Sequence, residues 1–154
     1  MKIYIARHGE TDFNKAGKLM GQRIDDFLNT EGIDQAHKLA EKIKDSGFDL
    51  IFTSPLKRSR QTAQIIAKDI NIPIIEKKEI TERDFGSLSG KSWSEMLKDV
   101  SSNITDFKSK DFEQQYDYHP FGGESVDDVK KRFMDFIQEL KEKYATKKIL
   151  IIAH

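Results

Sequence analysis

Apolar residues recur along this chain in two rhythms. Four short runs, residues 3–6, 50–53, 72–75 and 149–153, are apolar almost without interruption. Unbroken runs of that length suit strands buried on both faces, as in a parallel sheet. Between them the apolar positions return every three or four residues. Ile33, Ala36, Leu39, Ala40 and Ile43 mark one helix face, with Asn29 or Thr30 able to cap its start and Ser46-Gly47 at its end. Residues 61–68 carry a second helical pattern on Ala63, Ile65, Ile66 and Ala67. Ser125 followed by Asp128 has the form of a capping box. It opens a long helix whose apolar side is Val126, Val129, Phe133, Phe136, Ile137 and Leu140. Strands alternating with helices predict an α/β fold, a mostly parallel sheet flanked by helices on both faces.

Residues 91–120 break the pattern. Trp93-Ser94-Glu95-Met96-Leu97 starts like a helix, but Ser101, Ser102, Asn103 and a mixture of Lys and Asp follow, with Tyr116, Tyr118 and Phe121 beyond. This stretch is expected to be a lid insertion within a single domain spanning residues 1–154, a length that suits one core and not two. No internal repeat interrupts the alternation.

Composition narrows the function. Apolar residues make up 37% and charged residues 34% of the chain, with 26 basic and 26 acidic side chains. The balance leaves no whole-chain field for nucleic acid or a membrane surface. There is no cysteine, which removes disulfides, thiolate metal sites and cysteine nucleophiles and fits a cytoplasmic location. No apolar run approaches the ~18 residues of a membrane helix, and Lys2-Ile3-Tyr4-Ile5-Ala6 does not read as a signal peptide. The four histidines are not grouped with carboxylates as a metal cage would need, so neither metal nor cofactor is expected.

Ligands of open α/β sheets bind beyond the carboxyl ends of the strands. Those positions hold Arg7-His8-Gly9-Glu10-Thr11, Ser54-Pro55-Leu56-Lys57-Arg58, Glu82-Arg83 and His154. The set has a chemical logic. A neutral imidazole is a good nucleophile near neutral pH. A phosphoryl group in transfer spreads charge over its oxygens, and guanidinium forks match it. A glutamate can protonate the leaving oxygen and then take a proton from water.

The same residues resemble the signature of the histidine phosphatase superfamily, also called the phosphoglycerate mutase-like family. Arg7-His8-Gly9-Glu10-Thr11 with Asn14 resembles its first motif. Gly21-Gln22, Leu28-Asn29, Gly32 and Gln35-Ala36 are similar to the segment that follows, and Ser54-Pro55-Leu56-Lys57-Arg58 with Gln61-Thr62-Ala63 to the second arginine motif. Glu82-Arg83-Asp84-Phe85-Gly86, Gly122-Gly123-Glu124-Ser125 and Ile152-Ala153-His154 continue the series in family order. The resemblance covers residues 2–154 and implies a phosphoglycerate mutase-like fold. It implies His8 as the phosphorylated nucleophile, Arg7 and Arg58 as a phosphate clamp, His154 as a second histidine on the phosphoryl oxygens and Glu82 as acid and base. Thr11, Asn14 and Gln22 would contact phosphate or orient the site. Two arginines near His8 should lower its pKa, and a hydrogen bond at its other ring nitrogen should fix the tautomer. The family pattern continues past the second histidine with a Gly-rich turn, a helix and usually a strand, whereas this sequence stops at His154; activity is expected to suffer if the chain truly ends there.

Other residues take plainer readings. Lys57, Arg60 and His37 are expected to be solvated, His119 to be a loop histidine, Glu124 to favour a helix N-terminus, and Trp93, Tyr116, Tyr118 and Phe121 to pack within the lid. The expected activity is metal-independent hydrolysis of a small phosphate monoester. The alternatives are a mutase returning the phosphoryl group to another hydroxyl, or a non-catalytic phosphate-binding remnant. Lys98, Lys108 and Lys110 are offset by Asp106, Asp111, Glu113 and Asp117, which favours hydrolysis over a mutase that handles bisphosphates. The partner is a small phosphate ester, and the sequence leaves room for a homodimer.

Overall fold

The computed structural model describes residues 1–103 and 117–154. Most of the second half of the expected lid, including Lys108, Lys110 and Tyr116, lies outside the described residues. The strands are β1 (Lys2–Arg7), β2 (Leu50–Thr53), β3 (Ile74–Glu76) and β4 (Lys148–Ala153). They form one sheet in the order β1-β4-β2-β3, and every pair is parallel. The helices are α1 (Asp12–Lys15), α2 (Thr30–Ile43), α3 (Lys57–Ile70), α4 (Trp93–Asn103) and α5 (Val126–Lys143).

The two central strands are apolar except for Thr53 at the end of β2 and Lys148 at the start of β4, because both their faces are covered. Ile51, Leu150 and Ile152 point toward α2 and α3, where they pack with Ala40, Ala63, Ile66 and Ala67. Their alternates Leu50, Phe52, Ile149 and Ile151 pack with Phe136 and Leu140 of α5 on the opposite face. This is the period of two that pleating imposes. Phe52 meets Phe136 edge-on at 5.2 Å between ring centroids. A third cluster, Leu19, Phe85, Leu88, Met96 and Tyr118, sits to one side of the sheet.

Three boundaries depart from the sequence pattern. The third strand begins at Ile74, two residues later than the apolar run. Pro73 has no N–H to give to a ladder, and only its carbonyl is used, accepting from the Ile51 amide at 2.9 Å. Ile72 packs into the core from outside the strand. Helix α3 starts at Lys57 and so takes in Arg58, which the periodic segment 61–68 did not cover. It ends at Asn71, the one non-glycine residue with a positive φ among the described residues (φ 54°), in the left-handed cap asparagine tolerates. Helix α2 ends on a 3-10 turn at Lys44–Ser46 and a left-handed Gly47. The cap at Ser125 forms as its spacing predicts. Its hydroxyl accepts from the Asp128 amide at 3.1 Å, and Asp128 Oδ2 accepts from the Ser125 amide at 2.8 Å. Among the described residues no helix is long and apolar enough to cross a membrane.

Candidate active site

The loop leaving β1 is held on three sides. The His8 amide extends the sheet ladder by donating to the Ala153 carbonyl at 3.0 Å. The Gly9 amide donates to Thr62 Oγ1 at 3.0 Å, and that hydroxyl donates on to the Arg58 carbonyl at 2.8 Å. Asn29 fixes the third side. Its amide donates to the Glu10 carbonyl at 3.0 Å, its side-chain amide donates to Glu10 Oε1 at 2.8 Å, and its Oδ1 caps α2 through the Gly32 amide at 2.9 Å. This approach needs glycine on both sides. A Cβ on Gly9 would lie 2.3 Å from the Gly32 carbonyl oxygen, and one on Gly32 would lie 2.1 Å from that of Glu10.

The ring of His8 is buried, with 6% of the residue exposed. Its Nδ1 lies 2.7 Å from the Gly9 carbonyl oxygen. A carbonyl can only accept, so the proton sits on Nδ1 and the lone pair on Nε2. Toward that lone pair points Arg58 Nε, donating at 3.2 Å. The rest of the guanidinium donates to the Ile24 carbonyl at 3.2 Å and the Gly21 carbonyl at 3.0 Å. Arg58 is 1% exposed, and among the described residues no carboxylate bonds it directly. Because β4 lies between β1 and β2, His154 arrives next to both groups. Its ring centroid is 5.0 Å from that of His8. Its Nδ1 is 3.9 Å from Glu82 Oε2, too far for a hydrogen bond, and both ring nitrogens are buried without a partner among the described residues.

Burial keeps both rings neutral. The His8 pKa is lowered to about 4, first by burial and then by the charges of Arg58 and Arg7, against the opposing pull of the Gly9 carbonyl. The His154 pKa is lowered to about 2, again by burial first, with Arg58, His8, Arg7 and Arg132 adding to it. The arginines act in the direction the sequence suggests, but loss of water is the larger cause.

His8 and Arg58 open onto a cavity of about 300 Å³ that also has Arg7, Asn14 and Glu82 on its wall. The rest of its wall includes Lys18, Leu19, Met20, Phe85 and Trp93. Trp93 is 52% exposed, so it forms the mouth and is not the packing residue that its place in the lid suggested. Arg7, Asn14 and Glu82 are thus brought together with His8 and Arg58, and His154 flanks them. Thr11 and Gln22 are not on the cavity wall. Thr11 is the buried N-cap of α1, exchanging hydrogen bonds with Asn14. Gln22 Nε2 donates to the Glu82 carbonyl at 2.8 Å and to Glu124 Oε2 at 3.0 Å.

Glu124 is more than a helix-start residue. Its Oε2 also accepts from the Asp84 amide at 3.0 Å and from Arg132 Nη2 at 3.0 Å. The sequence reading missed Arg132, because an arginine on a long charged helix looks solvated. Two members of the cavity wall, Lys18 and Met20, were also missed. Their only sequence signal is their place just after the first motif. Among the described residues no group of three or more His, Asp or Glu gathers as metal ligands.

A parallel sheet that sets a neutral histidine beyond β1 and a buried arginine beyond β2, with a second histidine at the end of the strand between them, is the architecture of the phosphoglycerate mutase-like class. Residues 3–154 match the profile of the histidine phosphatase superfamily (branch 1), and the chain belongs to that family of phosphate-monoester hydrolases and related mutases. It is 35% identical over 152 residues to the "Uncharacterized phosphatase PhoE" of Bacillus subtilis (strain 168), which covers 99% of this chain and 70% of the relative. It is 35% identical over 156 residues to a metal-independent phosphoserine phosphatase of Arabidopsis thaliana, covering 99% of this chain and 63% of that one. The chain therefore spans less than two thirds of the plant protein's length. The mycobacterial glucosyl-3-phosphoglycerate phosphatase in complex with VO3 superposes with a TM-score of 0.84 at 25% identity, over 97% of this chain and 73% of the other.

Proposed function

We propose that this chain hydrolyses a small phosphate monoester by way of a phosphohistidine on Nε2 of His8. One observation carries the reading. The His8 ring has its proton held on Nδ1 by the Gly9 carbonyl, leaving Nε2 with Arg58 Nε as its donor on the wall of the cavity that both residues line. An incoming phosphoryl group draws the Arg58 donor from the lone pair onto one of its own oxygens, which frees Nε2 to attack phosphorus. The bond from phosphorus to the ester oxygen breaks, and that oxygen takes the proton of the Glu82 carboxyl and departs as the alcohol. Arg7, Arg58 and the N–H of neutral His154 donate to the three remaining oxygens, where charge accumulates. Glu82, now a carboxylate, takes a proton from water, the water oxygen attacks phosphorus, and the N–P bond breaks to release phosphate. Asn14 adds a donor at the wall, while Thr11 and Gln22 support the site from behind.

The cavity's size favours small substrates, with Trp93, Phe85 and Leu19 against the leaving alcohol. Residues 91–120 form the lid in this reading. The relatives' names, a phosphoserine phosphatase and a glucosyl-3-phosphoglycerate phosphatase, support a phosphorylated metabolite as substrate. A cytoplasmic location accords with the lack of cysteine, and cell fractionation tests it. A homodimer would use the outer strand β1, where Tyr4 and Ile5 are exposed; a single species of monomer mass in sedimentation removes it.

The test is a panel of phosphate monoesters assayed with chelator present, for the chain and for His8→Ala. Turnover that survives chelator and disappears in His8→Ala, with an acid-labile, alkali-stable phosphoenzyme in the former, is expected. An absolute need for a bisphosphorylated primer would replace hydrolysis by mutase chemistry. Vanadate binding without turnover on any ester would leave a phosphate-binding protein.

A further inference from the structure

The segment that carries Glu82 lacks the support the rest of the site enjoys. His8, Arg58 and His154 stand at the ends of a ladder or inside a helix. Glu82 follows the short 3-10 turn Lys78–Ile80, in a stretch with no strand partner before the next turn at Gly86–Leu88. Its carboxyl is nevertheless oriented. Oε1 accepts from the Arg83 amide at 2.9 Å, and Oε2 faces His154. What holds the backbone beneath it comes from α5 and its lead-in. Arg132 Nη1 donates to the Glu79 carbonyl at 2.7 Å, and Nη2 donates to the Glu82 carbonyl at 3.2 Å. The same guanidinium clasps Glu124, with Nε to Oε1 at 3.1 Å and Nη2 to Oε2 at 3.0 Å. Glu124 in turn brackets Asp84, accepting from its amide at 3.0 Å and donating its own amide to the Asp84 carbonyl at 2.9 Å.

The geometry points to Arg132 as a positioning residue that, through Glu124 and Gln22, sets the height and direction of the Glu82 carboxyl over the cavity. This rests on the reading of Glu82 as acid and base. Four donors in a rigid fork reach three separate acceptor residues, an arrangement a lysine cannot reproduce. The pair is largely shielded from water, with side chains 19% and 23% exposed. It also ties the start of α5 to the loop after β3, so the acid is placed by a helix that contributes no residue to the cavity wall.

Leaving-group dependence separates placement of an acid from general loosening. A nitrophenolate departs without a proton, whereas an alkoxide needs one. Arg132→Gln and Glu124→Gln are expected to lower kcat on an alkyl phosphate by about 10- to 100-fold, a part of the roughly 10²- to 10⁴-fold that a positioned general acid contributes. The loss on 4-nitrophenyl phosphate should stay within about threefold. Vanadate affinity should hold, and Arg132→Lys should fall between. Glu82→Gln is the reference. If Glu82→Gln shows the bias and the Arg132 variants lower both esters alike, positioning is overturned while the role of Glu82 stands. If Glu82→Gln shows no bias, the acid/base reading fails first and the positioning role with it. Amide hydrogen exchange gives a readout independent of turnover. In Arg132→Gln, exchange should speed up across residues 79–84 and stay unchanged in β1, β2 and β4. Unaltered exchange at 79–84, or a loss of protection spread over the whole sheet, would overturn the proposal.

Discussion

His8 and Arg58 share a single contact in which a cation donates to Nε2, the atom proposed as the nucleophile. The arrangement works only if the ring is neutral, and the pKa of about 4 says that it is through most of the physiological range. The acid limb of kcat/KM, which reports the free protein, is therefore expected near pH 4. A limb near 6.5, the ordinary value for histidine, would contradict it. Arg58→Ala removes one of the charges that lower this pKa, so the limb should move upward, and vanadate should bind at least about tenfold more weakly through loss of charge-assisted hydrogen bonds. The histidines, both arginines and Glu82 were legible in the sequence because they follow strands and match a family pattern. The larger cause of the low pKa was not, since burial depends on which loops close over the ring. Gln22 and Thr11 show the converse. Motif position marked them, yet their polar groups are already engaged with neighbouring protein atoms, and position alone cannot reveal that.

Elements align these side chains through a few close approaches. The contact of Gly9 with the start of α2 is the tightest. Gly32→Ala would force a Cβ against a backbone oxygen that cannot swing away, so a loss of about 2 kcal/mol or more is expected, from strain at a constrained site. Vanadate affinity should fall with it, because the loop bearing His8 shifts. Gly47→Ala is the comparison. Nothing lies within 4 Å of its added Cβ, and only its left-handed φ of 67° resists, so the cost should be about 1 kcal/mol. Urea melts of the two variants, with vanadate titrations, distinguish them. Ser125→Ala should cost about 1 kcal/mol by removing a helix cap. Periodicity made α2 and α5 legible nearly to their ends. It failed where no apolar rhythm exists, at the first turn of α3, and where a proline displaced the start of β3.

At the scale of the molecule, alternation of strands and helices was readable but the order β1-β4-β2-β3 was not. Apolar runs say that a strand is buried, not which strand lies beside it. That order is what sets His154 between His8 and Arg58, and it gives acid stability a particular form. Both histidines have folded pKa values below those of an unfolded chain, so unfolding takes up protons in the interval between. Stability should therefore be full above about pH 6.5 and decline as pH falls toward 4, with a slope set by about two protons. The lowered carboxylates Asp49, Asp128 and Glu139, held by hydrogen bonds from their partners, lose their contribution only at more acid pH. Urea midpoints should be level from pH 8 to about 6.5 and fall from there to pH 4.5. A flat line across that range would mean that the rings are protonated in the folded state.

The pairing of β1 with β4 also has a bearing on how the molecule comes into being. Among the described residues β4 is the only strand beside β1, and it lies at the opposite end of the sequence. On a ribosome the first strand emerges early and finds no neighbour. The local unit β2-α3-β3 can close long before, because its contacts span short loops. His8 stays exposed and fully hydrated until residues 148–153 clear the exit tunnel and slot between β1 and β2. The pocket beside His8 thus cannot be assembled before β4 is made, and a nascent chain holds that histidine at the solvated pKa of an imidazole in open water until synthesis has passed β4.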